Sequence, residues 1–166
     1  MSYSIVFSSR TGNTRMLAET IRDRLTEDGM VYFGEPDPKA LDADRLYVGF
    51  WTDRGVCCGE IGEFLSQLRD REVFLFGTAG FGEDPSYFDA ILQRTKEKLD
   101  GSVRVAGGYM CQGKMPMSVR ERYVKMQNMP GHMPNLEGMI RNFDAALSHP
   151  DSEDLRHLTE ALDASI

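Results

Sequence analysis

Short apolar segments alternate with amphipathic helical segments along this chain of 166 residues. The apolar segments, such as 3–8 (YSIVFS) and 72–77 (EVFLFG), are continuous rather than alternating with polar residues. Runs of this kind are typical of strands buried on both faces, and parallel strands are buried in that way. Parallel strands need crossover connections, which are right-handed in nearly all proteins. We therefore predict an α/β fold, with a mostly parallel sheet between two helical layers.

The pattern predicts five strands and at least five helices. The strands are expected at 3–8, 30–33, 45–51, 72–77 and 102–110. Helices are expected at 14–27, 60–68, 86–99, 135–147 and 152–163, with a further short one at 118–127. In such sheets ligands bind beyond the carboxyl ends of the strands, so the loops that follow the strands are where a site is expected.

The loop after the first strand, residues 8–14 (SSRTGNT), carries four hydroxyl groups in seven positions. Unpaired N–H groups and the helix dipole make the start of the following helix attractive to a phosphate. The hydroxyls of Ser9, Thr11 and Thr14 can close around that phosphate, and Gly12 allows a close backbone approach. The alternative is a polar turn with Thr14 as the helix cap, but a cap needs only one hydroxyl. We predict a phosphate-binding loop.

Other phosphate-binding and catalytic loops fit this chain poorly. The G-x-x-x-x-G-K-[ST] motif of nucleotide triphosphatases is absent from the sequence. The G-x-G-x-x-G dinucleotide motif is absent after the first strand, and Gly77, Gly80 and Gly82 follow the fourth strand with a different spacing. No cysteine stands at the start of the 8–14 loop as a phosphatase nucleophile would.

The segment I-V-F-S-S-R-T-G-N-T resembles the signature of the flavodoxin family, in which S-x-T-G-N-T after the first strand holds the phosphate of FMN. The resemblance implies a flavodoxin-like three-layer sandwich with five parallel strands in the order 2-1-3-4-5 and non-covalently bound FMN. By position, the phosphate loop is Ser9, Arg10, Thr11, Gly12, Asn13 and Thr14. Arg10 departs from the uncharged residue usual in the family; it either adds a charge-assisted bond to the phosphate or extends into water.

Two more loops at the same edge of the sheet carry aromatic residues and glycines. A flavin ring favours aromatic faces for stacking and backbone amides that glycines expose. In flavodoxins these loops surround the ring, so the resemblance extends the cofactor site to Phe50, Trp51, Thr52, Asp53, Arg54 and Gly55, and to Thr78, Ala79, Gly80, Phe81 and Gly82. Trp51, Phe81 and Tyr87 are the aromatic candidates. Trp51 falls earlier than the stacking tryptophan of typical members, and core packing is the alternative for it.

Acidic side chains near the ring are expected to influence its potential only weakly. The residues concerned are Asp53, Glu83 and Asp84. One exposed carboxylate at ~10 Å contributes about 0.4 kcal/mol in water, and salt reduces that further. A desolvated, stacked environment is therefore expected to dominate the potential.

The stretch 111–135 is unusual in composition. Seven of the ten methionines fall between 110 and 139. Its charges sum to 4 − 1 = +3, in a chain of 19 − 26 = −7. This stretch matches neither short-chain nor long-chain flavodoxins. It forms either a basic, methionine-rich rim for an acidic substrate or partner, or a packed flap with solvated charges.

The predicted domain organisation is one flavodoxin-like FMN-binding domain at 1–149, which includes the 111–135 stretch, and an appended helix at 150–166. The terminal helix carries Leu155, Leu158 and Leu162 on one side. It packs either on the domain or on a second subunit, and the sequence leaves both open.

Composition excludes some classes of protein and site. An acidic chain is a poor candidate for binding nucleic acid, and no apolar run approaches the ~18 residues of a membrane span. The three cysteines, Cys57, Cys58 and Cys111, are too few for a disulfide framework, so we expect a reduced, cytoplasmic protein. His132, His149 and His157 show no zinc-site spacing, and no metal is predicted.

Residues around the predicted site show no acid–base pair or nucleophile, as expected when a cofactor supplies the chemistry. The favoured function is electron transfer through FMN between a donor reductase and an acceptor enzyme, with redox proteins as partners. The alternative is an FMN-dependent reductase acting directly on a small molecule such as a quinone, with 111–135 as a substrate flap. A binding module without redox activity is the third hypothesis.

Overall fold

A computed structural model describes residues 1–82 and 84–166, so Glu83 lies outside the described residues. The strands are β1 (Tyr3–Phe7), β2 (Met30–Gly34), β3 (Arg45–Asp53), β4 (Val56–Cys57), β5 (Glu72–Ala79) and β6 (Arg104–Gln112). Five of them form a parallel sheet in the order β2-β1-β3-β5-β6, which confirms the predicted order when the parallel strands are counted along the chain. The prediction of five strands misses β4, a two-residue strand antiparallel to β3 that is too short to show a pattern.

The helices confirm the predicted pattern, with small differences at their ends. They are α1 (Asn13–Arg24), α2 (Gly59–Ser66), α3 (Pro85–Lys96), α4 (Met117–Gln127), α5 (Leu136–Ala146) and α6 (Ser152–Ala164). A 3-10 helix, Pro38–Asp42, precedes β3. None of the helices in the described part of the chain has both the length and the apolar character that crossing a bilayer demands.

Two hydrophobic cores lie on opposite faces of the sheet. On one face, Ile61 and Leu65 of α2 and Ile91 of α3 are fully buried against the sheet. On the other face, Leu17 of α1 and Leu158 of α6 are fully buried in a second cluster. Because both faces are covered, the central strands are mostly apolar, which is the pattern that predicted a parallel sheet.

Two glycines allow β3 and β5 to carry large aromatic rings at their centre. Gly49 pairs with Phe76, and Phe50 pairs with Gly77, in the same parallel register. A Cβ atom on either glycine would overlap the ring of its partner. Each phenylalanine ring therefore lies over the glycine of the neighbouring strand, and this packing fixes the register in which β3 and β5 end at the edge of the site.

Helix α6 completes the layer that contains α1. Its first turn is closed by a capping box, in which Asp151 accepts from the Asp154 N–H and Asp154 accepts from the Asp151 N–H. Leu158 and Leu162 are buried against the sheet, and Asp163 pairs with Arg24 of α1 at 2.7 Å. The structure thus packs the terminal helix on its own chain.

Helices α4 and α5 form an excursion between β6 and α6. Helix α5 buries Leu136, Phe143 and Ala146, whereas α4 has no buried residue. Arg120 of α4 forms a two-point ion pair with Asp144 of α5, with an Nε to Oδ1 distance of 2.8 Å. Helix α4 is therefore held against α5 and adds nothing to either core.

Candidate functional site

A cleft of about 320 Å³ lies at the carboxyl ends of β1, β3 and β5. This volume is within the range of small-molecule sites, roughly 300–1,000 Å³. Of the predicted site residues, it is lined by Arg10, Thr11, Asn13, Thr14, Trp51, Thr52, Asp53, Arg54, Gly55, Thr78, Ala79, Gly80 and Phe81. The structure thus brings together the three loops that the sequence singles out.

Four predicted residues do not line this cleft. Phe50 is fully buried, and its ring lies over Gly77 in the core. The Ser9 hydroxyl accepts from the Arg15 N–H at 3.2 Å. Gly12 caps α1 and Gly82 lies next to the rim, so these two, like Ser9, stay beside the cleft rather than in its wall.

The N-cap residue of α1 makes no side-chain cap, and of the first backbone N–H groups that of Arg15 is bonded to the Ser9 hydroxyl. Gly12 occupies the N-cap position in the left-handed conformation, with φ 89°, and a Cβ atom there would meet nothing within 4 Å. The alternative that Thr14 is the cap is wrong, because Thr14 lies inside the helix. The first backbone N–H groups of α1 thus lie at the cleft, and the helix dipole adds partial positive charge to them.

The hydroxyl groups of the 8–14 loop are largely engaged in holding the loop together. Thr14 Oγ1 at the start of α1 lies 3.1 Å from both Phe50 O of β3 and Thr78 Oγ1 of β5, which ties the start of α1 to the ends of these two strands. The Ser8 hydroxyl donates to Glu60 of α2 at 3.0 Å. The sequence predicts Thr14 as a phosphate ligand, and in the structure its hydroxyl is engaged in contacts within the protein.

Asn13 has a buried oxygen with no partner among the described residues. Its amide Nδ2 donates to the Lys114 carbonyl at 2.8 Å, but its Oδ1 has no hydrogen bond. The Thr11 hydroxyl donates weakly to the same carbonyl at 3.3 Å. A buried acceptor without a donor costs about 1–3 kcal/mol, so this amide is a place where a donor from a bound molecule is favoured.

The position of Trp51 combines core packing with exposure to the cleft. It is half-buried and packs against the core, and it also lines the cleft. The Arg10 guanidinium lies over its ring at 5.4 Å from the centroid, within cation–π range. Arg10 therefore covers an aromatic face of the site instead of extending freely into water.

The other aromatic candidates border the opposite side of the cleft. Phe81 is 40% exposed, and Tyr87 of α3 packs beside Phe88 with ring centroids 6.2 Å apart. Phe81 and Tyr87 also line a second groove of about 390 Å³, together with Met139 and Arg141. Beside these two rings the cleft is therefore open toward α5, the helix that carries Met139 and Arg141.

The residues after β6 form a fourth wall that individual sequence motifs do not reveal. Gly113, Lys114, Met115, Pro116 and Val119 line the cleft. One general property of the sequence indicates this wall. The 111–135 stretch follows the last strand, so it must start at the same edge of the sheet as the other three loops. That placement of the 111–135 stretch is confirmed for its first residues.

Side chains that could add other chemistry lie elsewhere. Cys57 and Cys58 are buried free thiols whose pKa values are raised mainly by burial, so they stay protonated and unreactive. Away from the cleft, the ligand atoms of His149, Asp151 and Asp154 lie within 4.8 Å of one another. The capping box of α6 explains this cluster, since the two carboxylates accept its backbone N–H groups.

A parallel sheet in this order, with a three-loop cleft at its carboxyl edge, defines a flavodoxin-like α/β protein. The chain belongs to the flavodoxin domain family, which matches it over residues 4–163. It is accordingly a flavoprotein of electron transport, and the cofactor of its family is FMN.

Relatives and solved structures agree with this assignment. The chain is 40% identical to the flavodoxin-like domain-containing protein BilS of Clostridium symbiosum (strain WAL-14163), over 100% of this chain and 96% of the relative. It is 26% identical to BilS of Clostridioides difficile (strain CD3), over 93% and 90% of the two chains. The fold is similar to that of a short-chain flavodoxin associated with a PDU bacterial microcompartment, with TM-score 0.62, 16% identity and coverage of 99% and 96%.

The residues of the cleft fit FMN. The N–H groups of Asn13 and Thr14 at the start of α1, the open space at Gly12 and the Arg10 guanidinium suit a phosphate monoester. The partnerless Asn13 Oδ1 offers an acceptor to the hydroxyl groups of the ribityl chain. Trp51 and Phe81 offer apolar faces to a flat ring.

Proposed function

We propose that the protein is an electron carrier that binds FMN in this cleft, takes electrons from a donor reductase and passes them to an acceptor enzyme. The observation that carries the proposal is the junction at Thr14, where one hydroxyl ties the start of α1 to the ends of β3 and β5 and so supports the three loops that follow β1, β3 and β5 around the cleft. These loops surround a cleft that is open at its rim, as contact with another redox protein requires. FMN itself supplies the capacity to accept and release one or two electrons.

Each wall of the cleft has a separate task in the proposal. The first N–H groups of α1 and the Arg10 side chain hold the phosphate. The carbonyl groups and amides of the loops after β3 and β5 bind the polar edge of the ring. Trp51 and Phe81 exclude water from its faces.

The role of the phosphate loop is tested by comparing FMN with riboflavin, which has the same ring but no phosphate. Titration of the apoprotein, followed by quenching of flavin fluorescence, should give tighter binding of FMN than of riboflavin. The Arg10→Ala variant should lose roughly 10- to 100-fold in FMN affinity, the effect of about 1.5–3 kcal/mol expected for a hydrogen bond to a charged group. Its affinity for riboflavin should change much less.

A matched control comes from an arginine outside the cleft. Arg22→Ala removes the same charge from the far end of α1, where Arg22 lies over Phe33 at 4.7 Å from the ring centroid. This variant should bind FMN as the unmodified protein does. Equal affinities for FMN and riboflavin, or equal losses in the two arginine variants, would refute the phosphate assignment.

The carrier role is tested by reduction of the FMN-loaded protein. With NADPH alone, reduction followed by flavin absorbance should be slow; with a flavodoxin reductase added, it should become fast. Electrons should then pass on to a c-type cytochrome. Fast reduction by NADPH alone, with turnover of a quinone, would instead support a stand-alone reductase.

One observation favours that second function. The groove at Phe81 and Tyr87, about 390 Å³, adjoins the cleft and contains the exposed cation Arg141. A small aromatic molecule such as a quinone would fit such a groove beside the ring, with a carbonyl oxygen accepting from Arg141. The Arg141→Ala variant should then lower quinone turnover, while leaving reduction by the added reductase unchanged.

We also propose that the protein works in the reducing environment of the cytoplasm. The support is the state of its cysteines, since Cys57, Cys58 and Cys111 are all buried free thiols. Recovery of the protein from a periplasmic or secreted fraction of its own cells would contradict this location.

A further inference from the structure

Helix α4 has two different faces. Val119, Tyr123 and Met126 recur at helical spacing and form a half-buried inner stripe. On the outer face, Met117 is 55% exposed and Val124 is 37% exposed. The outer face borders an open groove of about 710 Å³. Apolar side chains are thus displayed to solvent on a helix that adds nothing to the core.

The charge of this region opposes that of the rest of the chain. Stretch 111–135 carries +3, so the remaining residues sum to −7 − 3 = −10. Within the described part of the chain, Arg120 has a carboxylate partner, whereas Lys114, Arg122 and Lys125 have none within 4.0 Å. Glu121 is the one acidic residue beside the outer groove, where the free cations Arg122 and Lys125 outnumber it. A patch with a net positive charge attracts an acidic surface and steers its approach.

Methionines extend the outer face beyond the end of α4. Met129 is 54% exposed and Met133 is 50% exposed. Methionine side chains are flexible and polarizable, and they adapt to the shape of a bound surface. Exposed apolar groups surrounded by charged ones are typical of a docking surface with an apolar centre and a polar rim.

The start of α4 lies at the cofactor cleft, and Met117, the first residue of the outer face, directly follows Pro116 of the cleft wall. Pro116 and Val119, at the start of α4, line the cleft, and Lys114 and Met115 lead into the helix along its rim. A helix with its side chains is about 10–12 Å across. A protein seated on the outer face of α4 therefore lies within about that distance of the cleft.

We propose that the outer face of α4, from Met117 to Lys125, is the docking surface for an acidic redox protein that exchanges electrons with the cleft. This inference depends on the proposed carrier function and names the chemistry of its partner. The free cations Arg122 and Lys125 steer the acidic partner, and Met117 and Val124 form the apolar centre of the contact.

The test uses an acidic c-type cytochrome as the probe. The FMN-loaded protein is reduced with dithionite and mixed with the cytochrome in a stopped-flow instrument, where each ferric haem gains one electron as the bound flavin is oxidised. The Arg122→Glu/Lys125→Glu variant should lower the second-order rate constant at least tenfold at low ionic strength. For the unmodified protein the rate constant should fall as salt is added. For the variant this fall should disappear.

The matched control makes two equal charge reversals at positions outside α4. Lys39→Glu/Lys98→Glu also changes the net charge from −7 to −11, at exposed positions near the beginnings of the strands. This variant should lower the rate constant less than threefold. Equal slowing in the two double variants, or no slowing in the α4 variant, would overturn the docking surface.

A second variant tests the apolar centre. Met117→Ser/Val124→Ser should raise the Kd for the acidic cytochrome severalfold while leaving the salt dependence unchanged. Because α4 has no buried residue, FMN content and the far-ultraviolet circular dichroism of all variants should match those of the unmodified protein. An unchanged Kd would show that Met117 and Val124 do not contribute to binding, which would contradict the apolar centre of the proposed surface.

The outcomes separate the docking surface from the function on which it depends. If the reduced protein transfers electrons to neither an acidic nor a basic cytochrome, the carrier function itself fails. If it transfers electrons and the α4 variants behave as the control does, only the docking surface fails. Sedimentation that shows a dimer of this chain, dissociated by Arg122→Glu/Lys125→Glu, would assign the surface to a second copy and overturn the proposal.

Discussion

Helices α6 and α4 both follow the last strand, but they contribute to the protein in opposite ways. Helix α6 has a capping box and buries Leu158 and Leu162 against the sheet. Helix α4 has no side-chain cap and no buried residue. Helix α6 therefore contributes to the stability of the fold, whereas α4 contributes little to it. A helix whose outer residues are free of packing constraints is available to bind something else.

The largest difference is expected from core truncation. Leu158→Ala removes a fully buried side chain, and the free energy of unfolding should fall by about 2–5 kcal/mol, because the lost burial adds to the cost of a cavity. Val124→Ala in α4 should change it by no more than about 0.5 kcal/mol. Urea unfolding followed by circular dichroism measures these values. Equal losses in the two variants would contradict the assigned roles of the helices.

A smaller difference is expected from the helix ends. Asp151→Ala removes the carboxylate that accepts the Asp154 N–H, and the melting temperature should fall by about 2–4 °C. Ser118→Ala, at the start of α4, removes a side chain that caps nothing, so the melting temperature should stay unchanged. A comparable fall in both would show that α4 is also secured by its first turn.

The smallest effect is local to the excursion. The Arg120 side chain, by hydrogen bonding, lowers the pKa of Asp144. Because the folded-state pKa is depressed, the stabilisation is present above the unfolded value, about 3.9, and is lost as pH falls through the lower folded value. Acidification from pH 7 to pH 3 should therefore loosen α4, and Asp144→Ala should do so already at pH 7.

Amide hydrogen exchange, corrected for the intrinsic effect of pH, measures this loosening residue by residue. Faster exchange should be confined to α4 and the neighbouring turn of α5, while the exchange of β1 and β3 stays unchanged at pH 7 in Asp144→Ala. Exchange that rises across the whole sheet in this variant would mean that α4 is coupled to global stability.

The core of the fold could be predicted from sequence because local patterns agree with the tertiary arrangement. The apolar runs at 3–8 and 72–77 indicate buried strands, and the spacing of Leu155, Leu158 and Leu162 indicates a helix with one buried side. The two-residue strand β4 could not be predicted, since its pairing with β3 depends on the turn at Arg54 and Gly55, both of which have positive φ.

The position of the candidate site could also be predicted from the sequence. The loops after β1, β3 and β5 meet because the carboxyl ends of parallel strands share one edge of the sheet. The burial of Phe50 could not be predicted from its neighbours in sequence, because its ring packs over Gly77 of the neighbouring strand β5. Contacts between residues distant in sequence decided this.

The sequence by itself determined the parallel sheet, the hydroxyl-rich loop at the start of α1 and the positive charge of the 111–135 stretch. All three depend on residues that are neighbours along the chain. Only the tertiary structure decided that the Lys114 carbonyl accepts from the Asn13 amide at the cleft, that α6 packs on its own sheet and that α4 stays outside the core. These outcomes depend on which surfaces remain uncovered once the sheet has formed, and that is a property of the whole packed chain.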